Sequence, residues 1–381
     1  MNVDDLLEIL IQAPSVNPAL TGAEDFSDSL GEGPVAEEII SILEKASIAY
    51  KTVPVSQDRY NVVAHIPRGA KADEKTILLS GHMDTYPPEK TGDGAFDAVR
   101  QNGLMYGRGS ADTKGSIASM LHAFVEVSQL DHVRECYFVA SVDEEFGLTG
   151  AMATGDMDIK VDLAITGEPT CFEIVTCQKG ILRFHVRLAG APCHGAYPNI
   201  GASAPMAVAT FVRAIDDLNR DVLSSEAHPL LGTMTVTPTQ ILDKFSHMNL
   251  AHKFIDVNLD VRLNPGSTAA SVSKLLDDYL TQHTDLKFSI HDPYFYSPPN
   301  EADRSNALVQ ELAAAIEREA DTCILGHFQY GSEAGYLKNI ASAAIVFGPG
   351  DPKFSHAMGE CIPIVDLMTA STIYQNLLTS E

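Results

Sequence analysis

The segment Ser80-Gly81-His82-Met83-Asp84-Thr85 sets an imidazole and a carboxylate two residues apart. It closes an apolar stretch, Thr76 to Leu79, that reads as a buried strand. Further carboxylate motifs follow at Asp112, at Glu144 with Glu145, and at Glu168, and a second histidine at His356. Imidazole nitrogen and carboxylate oxygen are ligand atoms of zinc, held at about 2.0–2.2 Å. A carboxylate can also bridge two such ions about 3.5–4 Å apart and so help polarise a water. A single His-x-Asp pair carries little weight, because strand-end histidines often serve only structure. Five motifs in series point to a two-metal site.

Asp112 sits in Tyr106-Gly107-Arg108-Gly109-Ser110-Ala111-Asp112-Thr113-Lys114-Gly115, whose glycines permit a tight strand-to-helix turn. That placement suits a bridging ligand, with a helix cap as the structural alternative. Glu144 and Glu145 are neighbours, so at a strand end their side chains diverge. One would then ligate metal and the other act as base; two exposed loop acids is the plainer alternative. Glu168 lies between Gly167 and Pro169 after an apolar run, where an ordinary loop acid could also stand. His356 follows Phe347-Gly348-Pro349-Gly350 and supplies the second imidazole that such a centre needs.

These motifs require strands to deliver them. Apolar spacing predicts helices over 3–12 and 34–46, the second with Pro34 in its first turn, and strands at Tyr60–Ile66 and Thr76–Gly81. A helix should follow Lys114, with Ile117, Met120, Leu121 and Phe124 on one face. Strands Glu135–Val142 and Val161–Thr166 end on the acidic motifs. Alternating strands and helices imply an α/β sheet with ligands beyond its strand ends. Between Gly180 and His291 the pattern changes. Strands are expected at Ile181–Leu188, Met234–Ile241, Phe254–Leu263 and Leu286–His291, with helices at 201–219 and 267–282, the order of a ferredoxin-like module. Pro298-Pro299 reads as a linker back to the first domain. A helix at 304–319, a strand at Ala343–Phe347 and a terminal helix at 364–379 complete it.

At 381 residues the chain is long enough for two domains. With 26 Lys and Arg against 51 Asp and Glu, the net charge of −25 argues against nucleic acid or an anionic membrane as partner. Six scattered cysteines without a Cys-x-x-Cys pair suggest reduced thiols. The opening Met-Asn-Val-Asp-Asp lacks a signal-peptide pattern, so a cytoplasmic location is expected.

Taken in order, the motifs resemble those of the zinc-dependent aminoacylase, acetylornithine deacetylase and succinyl-diaminopimelate desuccinylase family of co-catalytic metallopeptidases, over essentially the whole length. The resemblance implies a zinc-peptidase-like α/β catalytic domain (1–179 and 293–381) interrupted by a ferredoxin-like lid and dimerisation domain (180–292). It implies two zinc ions, for which Co2+ or Mn2+ could substitute. His82, Asp112 and Glu168 would surround one, and Asp112, Glu145 and His356 the other. Asp84 would orient His82, Glu144 would be the general base, and the Asp112-Thr113 peptide would be cis. Cys193-His194-Gly195-Ala196-Tyr197-Pro198 resembles the lid segment whose histidine crosses a homodimer interface to stabilise the oxyanion. Asn249, followed by Leu250-Ala251-His252, resembles the family's Asn-Val-Ile-Pro motif without its proline. Downstream, Asp260-Val261-Arg262 offers an arginine for a substrate carboxylate, or equally for a lid salt bridge. Gly331-Ser332-Glu333-Ala334 resembles the Thr-Glu-Ala segment of the deacetylases; Glu333 would bind a substrate amine or cap the following helix. His356 departs from the usual pattern, being followed by Ala357-Met358-Gly359-Glu360 instead of a Pro-Asp-Glu ending. The implied activity is removal of a small acyl group from an N-acyl amino acid. The alternatives are a dipeptidase or carboxypeptidase, a succinyl-diaminopimelate desuccinylase, and a non-catalytic binding protein, the last disfavoured because all five ligands and Glu144 are present.

Overall fold

The computed structural model describes residues 1–20, 30–89, 94–197, 203–243 and 249–380. Pro198 of the lid motif and the expected helix start at 201–202 lie outside the described residues. The chain divides into two units: 1–176, 301–327 and 332–381 form the first, and 177–300 with 328–331 the second.

Four parallel strands make the centre of the first unit's sheet: Glu135–Ser141, Thr76–His82, Val161–Thr166 and Ala341–Val346, in that spatial order. Arg59–Ile66 and then Ala49–Ser56 add antiparallel strands on one side, and Ile174–Gln178 pairs antiparallel through Val175 on the other. The central strands read as nearly unbroken apolar runs because they are buried on both faces. Leu79, Phe138 and Ile165 are fully buried, and each such side chain contributes about 1.5–3 kcal/mol by leaving water. Helix Lys114–Val127 buries Ile117, Met120, Leu121 and Phe124, the face its spacing predicts. Helices Val3–Gln12 and Ile364–Leu378 pack against it. Asn306 caps helix Ala307–Ala320 by accepting from Leu308 N and Val309 N. Because the four central strands run the same way, His82, Ser141, Thr166 and Val346 all end at one edge. The four loops that leave that edge carry the acidic and histidine motifs.

The second unit holds an antiparallel sheet in the order Thr235–Leu242, Phe254–Leu263, Gly180–Ala189, Lys287–Ile290, with Phe295–Ser297 also paired to Gly180–Ala189. With helices Ala204–Asp221 and Ala269–His283 this is the strand-helix-strand-strand-helix-strand order that the sequence predicts. Gly180–Ala189 alternates strictly, and Leu182, Phe184, Val186 and Leu188 join Phe211, Leu218, Leu276 and Leu280 in the core. Thr268 and Ser271 form a reciprocal capping box that opens the second helix. All six cysteines are free, and no described helix is long and apolar enough to cross a membrane.

Candidate metal centre

His82 is almost fully buried, and its Nδ1 lies 2.9 Å from the backbone carbonyl of Asp84. A carbonyl only accepts, so Nδ1 carries a proton, and Nε2 is the nitrogen that would take a metal in place of the proton it shares with Asp112 in the metal-free protein. That Nε2 is 3.1 Å from Asp112 Oδ1 and 3.8 Å from Glu168 Oε1. The other oxygen of Asp112, Oδ2, lies 3.4 Å from His356 Nε2, which is 2.9 Å from Glu145 Oε2. Asp112 therefore presents one oxygen to each histidine. Ligand atoms about 2.0–2.2 Å from a tetrahedral ion stand about 3.3–3.6 Å apart, and these separations bracket that value. The donor set and its spacing fit two ions, His82, Asp112 and Glu168 on one side and Asp112, Glu145 and His356 on the other.

Without cations the cluster is electrostatically costly. Burial and the neighbouring acids push Glu144 and Glu168 well above the usual carboxylate range. Burial and Asp112 raise Glu145, against the pull of His356. Burial works against charge on His82, but Asp112, Asp84 and the nearby glutamates outweigh it and raise its pKa well above normal. Burial likewise opposes charge on His356, and Glu145 and Asp112 outweigh it. Asp112 goes the other way: burial would raise it, yet the hydrogen bond and charge of His82 hold it low. The Asp112-Thr113 peptide is cis, as the resemblance implies.

Asp84 hydrogen-bonds His82 through its carbonyl, while its carboxylate, with Oδ1 3.6 Å from Nδ1, acts on the ring by charge. The carboxylate is spent on the acidic loop: Oδ1 accepts from Glu144 N and Oδ2 from Glu145 N, each at 3.0 Å. The carboxylate of Glu144 has no hydrogen bond among the described residues, which leaves it free to exchange a proton. Glu333 is fully buried and accepts from Ser80 Oγ at 2.9 Å and from Ser141 Oγ. It makes no side-chain cap on Ala334–Leu337, and each of its oxygens accepts one serine hydroxyl.

In the second unit, His194 Nδ1 accepts from Ala196 N at 3.1 Å, which puts the ring proton on Nε2; Asn249 Nδ2 lies 3.3 Å from that nitrogen, and with Nε2 protonated the Asn249 amide pairs with it through Oδ1. Arg262 Nε donates to Asp260 Oδ1 at 2.7 Å while Arg183 Nε takes Oδ2 at 2.9 Å, the salt-bridge alternative.

Several contributing residues escape the motif reading. Tyr86 stacks on His356 with ring centroids 4.5 Å apart, and its backbone N–H donates to Glu145. Asn17 Nδ2 donates to Asp84 Oδ2 at 2.7 Å and to Asp143 Oδ1 at 3.0 Å. Lys114, buried beside Asp112, donates to the Ala13 carbonyl at 2.8 Å, and burial pushes its pKa down to about 7. The only sequence signal for Asn17 is its place in the polar Ser15-Val16-Asn17-Pro18 break after a helix.

A family model described as Peptidase family M20/M25/M40 matches residues 78–380. The chain belongs to that family. It is a hydrolase of the M20 type, and several relatives carry a specific name. An acetylornithine deacetylase of Myxococcus xanthus is 28% identical over 323 residues, 83% of this chain and 82% of the relative. One of Vibrio atlanticus is 25% identical over 394 residues, 97% and 98% of the two chains. Among solved structures, an M20 family metallo-carboxypeptidase from Sulfolobus solfataricus superposes with a TM-score of 0.75 at 17% identity, covering 99% of both chains. A dinuclear metal binding peptidase of the M20 family from Bacillus subtilis gives 0.71 at 14% identity, covering 99% and 96%. Both share the fold of this M20 chain.

Proposed function

We propose that this M20 hydrolase removes a small acyl group, acetyl or similar, from an N-acyl amino acid, with two zinc ions at its centre. The observation that carries the reading is the division of Asp112 between two histidines beside a Glu144 carboxylate without hydrogen bonds among the described residues. Bound zinc supplies a Lewis acid for the amide carbonyl and lowers the pKa of water towards neutrality. Glu144 would take one proton as the water oxygen bonds the carbonyl carbon and return it to the nitrogen as the C–N bond breaks, so that amide and water become carboxylic acid and amine, which end as carboxylate and ammonium. His194 donates from Nε2 to the oxyanion. In this reading residues 180–292 form a lid and dimerisation module, the enzyme is a cytoplasmic homodimer, and His194 serves the partner's centre. Asn249, beside His194, and Arg262 stand as candidates for binding the substrate, Arg262 through a substrate carboxylate.

The deacetylase relatives favour N-acyl substrates, and the carboxypeptidase neighbour favours a peptide bond as the second reading. A panel of N-acetylornithine, N-acetylmethionine, N-succinyl-diaminopimelate and simple dipeptides, run beside metal analysis, separates them. Preferred turnover of an N-acetyl amino acid is expected. Faster cleavage of dipeptides would transfer the assignment to a peptidase, and preference for the succinyl compound to a desuccinylase. Inactivity on the whole panel with both ions bound would count against the acyl-amino acid reading.

A further inference from the structure

Glu360 is 3% exposed and spends its whole carboxylate on one turn. Its Oε1 accepts from Ala111 N and Asp112 N, each at 2.9 Å. Its Oε2 accepts from Gly109 N at 3.1 Å and from Arg108 Nη1 at 2.7 Å. Its own carbonyl accepts from Gly107 N at 3.0 Å. Gly107 and Gly109 have φ of +154° and +85°, and at Gly109 this left-handed backbone suits glycine. Converging turn amides form a concavity for an anion, and here the chain supplies that anion itself. Glu360 stands four residues after His356, and its contacts include the amide of Asp112 itself. One carboxylate thus joins two ligand-bearing segments about 250 residues apart.

We propose that Glu360 is a positioning residue of the metal pair, fixing the Asp112 turn against the His356 loop so that each Asp112 oxygen faces its own ion. The proposal rests on the two-metal reading above. The isosteric Glu360→Gln variant is the sharp perturbation. Its amide oxygen can still accept from Ala111 and Asp112, but its NH2 group would confront Gly109 N–H and Arg108, donor against donor. Arg108→Met removes the guanidinium and leaves the three amide bonds to Glu360 in place.

The test measures Zn2+ and Co2+ affinity of the full-length protein by competition with a chromophoric chelator, together with the visible spectrum of the Co2+ form. Glu360→Gln should weaken metal binding about ten- to hundredfold and change the Co2+ band intensities. Arg108→Met should bind metal close to wild type whatever its melting temperature. Should the Gln variant not fold, hydrogen exchange on metal-free wild type serves instead: Ala111 and Asp112 amides should be protected. Unchanged affinity in Glu360→Gln, equal weakening in Arg108→Met, or unprotected Ala111 and Asp112 amides would each overturn the assignment. A wild-type stoichiometry of one ion would count against the two-metal reading instead, and the comparison of variants would still decide Glu360 through that ion's affinity.

Discussion

Replacing Glu144 by alanine separates two chemistries that the cluster makes hard to tell apart. His82, Glu144 and Glu168 place ligand atoms within 4.8 Å of one another, as do His82, Asp112 and Glu145, so Glu144 could be read as a ligand. Its position argues otherwise. Its backbone N–H is pinned by Asp84 while its carboxylate has no hydrogen bond among the described residues, whereas Glu145 contacts His356 at 2.9 Å. Loss of a general acid–base group typically costs about 10²–10⁴ in rate. At 1.36 kcal/mol per decade this is about 2.7–5.4 kcal/mol of transition-state stabilisation. Because the group acts on the proton in flight, kcat and kcat/KM should fall together. Stability should move the opposite way. Removing a carboxylate from beside Glu145, Asp112 and Asp84 relieves repulsion in the metal-free protein, so its melting temperature should hold or rise. The assay is steady-state turnover of the best panel substrate, with metal content measured after gel filtration and melting recorded with and without chelator. A variant within threefold of the wild-type kcat would refute the base assignment. A variant that lost an ion would make Glu144 a ligand.

Asp112→Ala should empty both metal positions and abolish turnover, since Asp112 is shared by the two histidines; retention of one ion by elemental analysis would show that it does not bridge. Mixing His194→Ala with Glu144→Ala protein should restore part of the activity, because a hybrid dimer holds one site with both groups intact; exchanged mixtures that stay inactive would exclude action in trans. In the metal-free protein, Glu144, Glu145 and Glu168 have pKa values raised above the ordinary 4.5, and His82 and His356 above 6.5. Groups raised on folding contribute stability that is complete below their unfolded pKa and lost as pH climbs through the folded one. Asp84 and Asp112 are lowered and act in the opposite sense only towards acid. Melting of the metal-free protein should therefore decline from about pH 5 to pH 8, and the gain on adding zinc should widen; a pH-independent gain in calorimetry would contradict this.

The parts of this site that announce themselves in sequence are those where one residue type stands at a strand end. His82 after Thr76–Leu79, Glu168 after Val161–Thr166 and His356 after a Gly-Pro-Gly turn are legible because a buried strand is an apolar run and its end is abrupt. Strand Ala49–Ser56 is not, since it is an edge strand with mostly exposed residues and Pro54, without apolar alternation. The atom that Asp84 uses is also hidden: carbonyl and carboxylate belong to one letter, and only geometry assigns the first to His82 and the second to the Glu144 loop. Glu360 was visible as the acid ending the His356 segment. Its partners were not, because they lie about 250 positions earlier and are backbone amides, which every residue has.

The same distinction explains where the placement of Glu144 comes from. Its amide is held by a carboxylate that is fully buried, and a buried charge persists only when hydrogen bonds and a counter-charge compensate it. Asp84 has three donors, Glu144 N, Glu145 N and Asn17 Nδ2, and none of them is a cation. His82, 3.6 Å from Oδ1 and itself held charged, answers that carboxylate from one side, and further compensation lies further out. Asn17 also donates to Asp143, which accepts from Arg59 Nη1 at 3.1 Å, and Arg59 in turn donates through Nε to Glu32 at 3.0 Å. Thr149 Oγ1 closes the other Asp143 oxygen at 2.6 Å, and Asp143 N reaches back to Glu32. A single guanidinium thus answers Glu32 and Asp143 directly and, through Asn17, adjoins the carboxylate that sets Glu144 and Glu145. Removing one partner from such a buried network typically costs about 3–5 kcal/mol, because what remains is an uncompensated charge. Among the described residues Glu144 keeps its carboxylate free of hydrogen bonds, as a proton carrier requires, while its backbone is fixed by a chain of bonds that runs through Asp84, Asn17 and Asp143 to Arg59.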